Sequence, residues 1–218
     1  NTIGNIKKIE NILDKWILSK LNNFIGELTM AMEGYNTVKS CRLIKEFIEE
    51  LSLWYVRRSR ERFKSDGLDK EQAESVLRII LLNFSKAVAP ILPFTAEFVF
   101  EKIKNADDKQ SVHLEFWPKQ DKKLVDKILE EKMNKARGVV NLALAERMIL
   151  GIKVRQPLAE LKIKDKELEN EKELLEIIKE EINVRKIVFD DKLEKDVVLD
   201  ADITEELKKE GEKREQIR

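Results

Sequence analysis

Ile9, Leu13, Trp16, Ile17, Leu21, Phe24, Leu28 and Met32 follow one another at spacings of three and four, which gathers them on one face of a long helix over 9–34. Gly34 ends that helix, and Asn36 and Thr37 supply caps for a second. The apolar stripe of the second helix runs through Ile44, Phe47, Ile48, Leu51, Trp54 and Tyr55 and continues into the stretch WYVRRSRERFK, residues 54–64. SDGLD at 65–69 predicts a turn, with Asp69 capping a third helix that reaches Ala89. Pro90 and Pro93 interrupt the chain, and FTAEFVFEKI forms a shorter fourth helix from Thr95. After the loop NADDKQSVHLEFWP, the stripe Leu124, Ile128, Leu129, Met133, Ala136, Val140 and Leu144 marks a fifth helix over 121–149.

Past Gly151 the period changes from helical to two. LAELKIK at 158–164 alternates, ELLEIIKEEI at 173–182 is helical, and VRKIVF and DVVLD alternate again. The fold class is therefore mainly α: a helical bundle over 1–150 followed by a small α+β module over 151–218. Thr204 caps one last helix, which the chain end cuts short at Arg218.

Composition narrows the functional classes. With 218 residues the chain buries a substantial core. No run of 18 apolar residues is present, so no membrane helix is expected, and NTIGNIKKIE lacks the apolar centre of a signal peptide. The single cysteine, Cys41, rules out an internal disulfide, and with the single histidine, His113, it rules out the usual zinc ligand sets. A reducing, cytoplasmic compartment fits that usage. No nucleophile stands in a hydrolase-type motif, no glycine-rich phosphate loop exists among seven glycines, and the carboxylates alternate with lysines as solvated helix faces do. Catalytic residues and metal ligands are thus expected to be absent. Phe116 and Trp117 are two loop aromatics with two readings, a base-stacking platform or a plug for the bundle end; the plug is the expectation.

The formal net charge of zero is unevenly distributed. Residues 1–158 carry 28 Lys and Arg against 22 Asp and Glu, and residues 159–218 carry 14 against 20, so a polyanionic partner favours the first part. Within it, WYVRRSRERFK concentrates five positive charges against one negative. Taking about 100° per residue from Leu51, Arg58 and Arg62 fall within about 20° of the core line, whereas Arg57, Arg60 and Lys64 fall at about 180–240°, on the far side. Arg58 and Arg62 are therefore expected to lie along the bundle with their guanidinium groups paired to carboxylates, and Arg57, Arg60 and Lys64 to face water. Two partners suit such a patch: RNA phosphates, or an acidic protein surface met by a helical interaction module.

The segments in their order resemble a known family. LDKWILSKLN, LSLWYVRRSRERF, APILPFTAEFVFEKI, SVHLEFWP and GIKVRQPLAEL are similar to the C-terminal, anticodon-binding portion of isoleucyl-tRNA synthetases, which are class I enzymes. WYVRRSR and KVRQPL are the most specific pieces, and the resemblance covers nearly the whole chain. Leu53 stands where the family often has Asn, and Lys64 where a Trp often follows the Phe. The nucleotide-binding signatures of the family's catalytic domain and its cysteine-rich zinc module are absent; KMNKA at 132–136 lies inside an amphipathic helix. The resemblance implies a monomeric fragment without catalysis or cofactor of its own, ATP and Mg belonging to the missing catalytic domain. Its implied partner is isoleucine tRNA, bound at the anticodon stem-loop. Carried onto this chain, tRNA contacts fall to Arg57, Arg60 and Lys64, to Arg58 and Arg62 beside them, and to Lys153 and Arg155 in KVRQPL.

Overall fold

A computed structural model describes residues 9–216, with side chains through Glu212. The chain divides into two compact units after Lys127.

The first unit is helical, and its centre is α1 (Ile12–Glu33), capped by Asn11, whose side chain accepts the Leu13 N–H at 2.9 Å. Trp16, Ile17, Leu18, Leu21, Ile25 and Leu28 are all buried, which spreads around more of the helix than one stripe. The reason is that α2 (Thr37–Glu49) and α4 (Leu68–Val88) both pack against it. One ring from each of the three, Phe24, Phe47 and Phe84, meets the others with centroids 4.8–5.6 Å apart. Gly34 ends α1 as expected, its N–H returning to Met30 O, while the left-handed residue is the exposed Tyr35 at φ 52°.

Several boundaries differ from the periodic reading. The second helix does not run unbroken to residue 64: a π-helical segment (Glu50–Val56) follows α2, then a turn, then the short α3 (Arg60–Lys64). Helix α4 starts at Leu68, because Gly67 (φ 103°) makes the turn and the Asp69 carboxylate goes to Arg62 instead of capping. Helix α5 (Pro93–Ile103) begins two residues before Thr95, since proline suits the first helical turn, where its missing N–H costs nothing. The long helix expected from 121 begins only at Lys127, as α6 (Lys127–Ile149). Two buried side chains of α1 account for the delay: Asn22 Oδ1 takes the Asp121 N–H and Ser19 Oγ the Asp126 N–H, each at 2.8 Å. Lys122–Leu124 is thereby held as a single 3₁₀ turn, so Leu124 lies outside the helix.

The second unit groups α6 with the α+β residues, so the division falls at 127/128 rather than at 150/151. Ion pairs explain the grouping: Lys132 reaches Glu171, Lys135 reaches Glu167, and Glu146 accepts from Lys195. The remainder runs β1 (Leu158–Ile163), α7 (Lys172–Ile182), β2 (Val184–Phe189), β3 (Val197–Leu199) and α8 (Glu205–Gln216). The order strand, helix, strand, strand is the one the alternation predicts. The sheet is ordered β2-β1-β3, with β1 parallel to β2 across the α7 crossover and antiparallel to β3. Leu161 sits at its centre, opposite Ile187 on one side and Leu199 on the other. Thr204 accepts from Leu207 N at the start of α8, and residues 217 and 218 lie outside the described residues.

The ring trio gives a direct test of the first unit's core. Phe47 is 3% exposed and stacks on Phe24. Phe47→Ala is expected to lower unfolding free energy by about 3–5 kcal/mol, measured by urea denaturation.

Candidate RNA interface

The basic stretch is organised around one buried carboxylate. Asp14 lies in the first turn of α1 with no solvent exposure. Arg62 meets it two-pronged, Nη1 to Oδ1 at 2.9 Å and Nη2 to Oδ2 at 2.8 Å. The Tyr55 hydroxyl donates to Oδ1 at 2.8 Å. The remaining edge of the guanidinium goes to Asp69, with Nε at 2.9 Å from Oδ2 and Nη2 at 2.8 Å from Oδ1. Burial alone would make Arg62 a weaker base; the bonds to Asp14 and Asp69 outweigh it and raise its pKa further above the usual arginine range. Burial, and then the Asp14 charge, push the Tyr55 phenol well above its ordinary value, so it remains a donor.

The π-helical segment delivers these groups. Its wider turn, marked by the bond from Arg57 N to Ser52 O, shifts the inward line to Leu51, Tyr55, Ser59 and Arg62. Tyr55 and Ser59 are fully buried, Arg58 and Arg62 are half-buried, and Arg57, Arg60 and Lys64 are exposed. The expected partition of the five cations between inward and outward faces therefore holds, and Arg62 makes the carboxylate pairing anticipated for the inward pair. Arg57 returns Nε to Leu53 O at 2.8 Å, and Lys64 meets Glu61 at 3.0 Å in an exposed pair of the kind worth little in water. Arg60 makes no ion pair among the described residues.

The aromatic loop divides in two. Trp117 donates Nε1 to Thr29 Oγ1 at 2.9 Å and seats against α1, as a plug does. Phe116 is 85% exposed, contrary to the expected plug, because Glu115 is the residue turned inward, held by Lys86 and by the Lys109 N–H. Those donors, the Lys109 amide first, hold the Glu115 carboxyl below its usual range. The exposed Phe94 and Phe98 of α5 were not singled out by the sequence reading; Lys102 stands 5.6 Å over the Phe98 ring. Their spacing of four was the available signal, but it is equally the spacing of a core stripe. His113 is exposed, with no catalytic partner set around it among the described residues.

In the second unit, Lys153 and Arg155 are exposed on the loop that joins α6 to β1. Beneath them lies Arg147, 1% exposed and missed by the sequence reading because it occupies an ordinary position in a charged helix. It donates to Lys153 O at 3.0 Å, Gln156 O at 3.1 Å and Asn183 O at 3.1 Å. Burial lowers its pKa to about 10.

Truncating Arg62 strands Asp14 as a buried, uncompensated charge. Arg62→Ala is therefore expected to cost about 3–5 kcal/mol in urea unfolding, against less than about 0.5 kcal/mol for Arg57→Ala. Equal losses in the two variants would show that Asp14 does not depend on Arg62.

Comparison with known proteins bears on what this surface serves. The chain is 39% identical over 185 residues to the isoleucine–tRNA ligase of Clostridium tetani, a match covering 83% of this chain and 18% of that protein. The isoleucine–tRNA ligase of Clostridium novyi is 40% identical over the same length and the same shares. That of Treponema denticola is 35% identical over 193 residues, covering 86% of this chain and 18% of the relative. The chain thus spans about a fifth of the length of the curated relatives it matches. Residues 14–166, from the buried Asp14 through the Lys153–Arg155 loop and all of β1, match the anticodon-binding domain of tRNA ligases. By that match the chain belongs to the family of anticodon-binding domains of tRNA ligases.

Proposed function

We propose that this chain holds the anticodon arm of isoleucine tRNA, as the anticodon-binding portion of a monomeric, cytoplasmic isoleucine–tRNA ligase. The observation that carries the reading is the division of the basic helix end. Arg62 is committed to two carboxylates, and that pairing fixes the backbone from which Arg57, Arg60 and Lys64 project into solvent. Cations on a rigid helical support are suited to phosphates, whose spacing along an RNA strand is regular. Exposed aromatics such as Phe94, Phe98 and Phe116 are suited to unstacked bases, since every base offers a π face. Arg58, half-buried, adjoins Arg57 in the chain and adds a further cation to this stretch. Lys153 and Arg155 form a second place for the RNA backbone.

The chemistry of aminoacylation, with its ATP and Mg, belongs in this reading to a catalytic domain outside these residues. The contribution of this chain is positional: it selects and orients the tRNA by its anticodon arm.

Salt dependence tests the patch. Each phosphate neutralised adds about 0.7–0.9 to the slope of log affinity against log salt, so three contacts add about 2–3 units. The variant with Arg57, Arg60 and Lys64 all changed to Ala is expected to flatten the slope by that amount, with its melting temperature held. The three contacts together predict a weakening of wild-type binding by roughly 20- to 40-fold between 50 and 200 mM salt. An unchanged slope and affinity in the triple variant would assign these charges to a solvated helix end, or to an acidic protein partner.

The catalytic division has its own test. The purified chain is expected to give no isoleucine-dependent ATP–pyrophosphate exchange. Exchange above background, in a preparation free of host synthetase, would overturn that division.

A further inference from the structure

Three local choices at the α1–α2 turn work against folding. The first is the order Gly34–Tyr35: Gly34 keeps an ordinary φ of −85°, whereas Tyr35 takes the left-handed φ of 52° that glycine adopts without strain. The second is exposure. Tyr35 is 91% exposed, and the flanking Met30 and Val38 are exposed as well. The third is charge, for α2 carries Lys39 in its first turn and no acid there, although the positive end of a helix dipole disfavours a cation. Neither the Tyr35 nor the Lys39 side chain makes a hydrogen bond, ring contact or ion pair among the described residues that would offset these choices.

The turn is nevertheless fixed. Tyr35 donates its N–H to Met32 O at 3.1 Å, and its carbonyl accepts the Thr37 N–H at 3.1 Å. Asn36 returns its N–H to Ala31 O at 2.8 Å, while its side chain accepts the Lys39 N–H at 3.0 Å. The Tyr35 ring therefore stands on a backbone held from both helices, and only its two side-chain torsions are left to order. Lys39 and Arg42, three residues apart on the exposed side of α2, make no ion pair among the described residues. Glu33 is the one acid between Met30 and Lys45. Glu27 lies further back on α1, Glu46 and Glu49 lie toward the other end of α2, and Lys45 pairs with Glu49. An exposed ring with two cations after it in the chain suits a nucleotide whose base is unpaired, the base stacking on the ring and its phosphate meeting the cations.

We propose that Tyr35, with Lys39 and Arg42, is a stacking site for an unpaired nucleotide of the bound tRNA. The 22 residues of α1 place it about 33 Å from the basic stretch beside Asp14, at the opposite end of the first unit. The proposal rests on the tRNA-binding reading above and adds to it an anchor made of residues which that reading does not use.

Tyr35→Gly separates recognition from folding, because it removes the ring and relieves the left-handed backbone. Binding of the full 218-residue chain to an isoleucine tRNA transcript would be followed by fluorescence anisotropy from 50 to 200 mM KCl, beside a fully paired RNA duplex. Tyr35→Gly is expected to match or exceed the wild-type melting temperature. Its affinity for the tRNA is expected to fall about five- to thirtyfold at an unchanged salt slope, since stacking releases no counterions. Tyr35→Phe keeps the ring and is expected to bind as wild type, and neither variant should lose affinity for the duplex. Lys39→Ala/Arg42→Ala is expected to flatten the tRNA slope by about 1.4–1.8 units. A lower melting temperature in Tyr35→Gly would give the ring a structural role and overturn the proposal. An equal loss on tRNA and duplex would overturn it too, since a duplex offers no unpaired base. So would wild-type tRNA affinity in Tyr35→Gly while the triple change at Arg57, Arg60 and Lys64 weakens binding, an outcome that leaves the broader reading standing and assigns the turn to a protein partner. Absence of RNA binding by the wild-type chain at every salt concentration would overturn the broader reading and this site with it.

Discussion

A carboxylate with no access to water cannot remain charged without partners, and Asp14 has none to spare. Three donors converge on it, two from Arg62 and one from Tyr55, and they come from segments more than 40 positions away in sequence. Satisfying Asp14 thus requires the end of the second helical segment to return to the beginning of α1. It also requires Tyr55 and Arg62, seven residues apart, to point the same way. A regular α-helix brings residues seven apart to within about 20° of each other. The π-helical segment and the turn at Ser59 interrupt that regularity, yet Tyr55 and Ser59 stay buried and Arg62 still reaches Asp14, with Arg58 half-buried.

In the proposed reading, that local irregularity links folding to recognition. Once Arg62 is bound to both Asp14 and Asp69, the start of α4 is tied to the same point and α3 cannot rotate. The exposed cations of the stretch then project from a support held at both ends. Side-chain freedom still costs affinity, but backbone freedom does not, which is the condition under which charge on a surface becomes a site.

Much of this was legible in the sequence. Helical and strand periods assigned the element types correctly, since burial on one face is what those periods record. The sorting of five cations by helical phase was also legible, because Asp14 selects among them by geometry. Boundaries were less so. The late start of α6 depends on Ser19 and Asn22 receiving backbone N–H groups about 100 residues away, and no local pattern near 121–126 records that. Similarly, Asp69 has the composition of a helix cap, yet the guanidinium of Arg62, seven residues back across the turn at Gly67, is a stronger partner for it than a backbone amide. Arg147 was invisible for the opposite reason. Its neighbours on α6 are ordinary surface charges, and only the approach of the α6–β1 loop and the end of α7 makes its position an interior one.

Arg62, half-buried, and Arg147, fully buried, are satisfied in different ways. At Arg62 the guanidinium faces two carboxylates, so its charge is consumed within the protein and its role is architectural. At Arg147 the partners are carbonyl oxygens, which satisfy its hydrogen bonds but carry no net charge, so its role is to hold the α6–β1 loop and the end of α7 together.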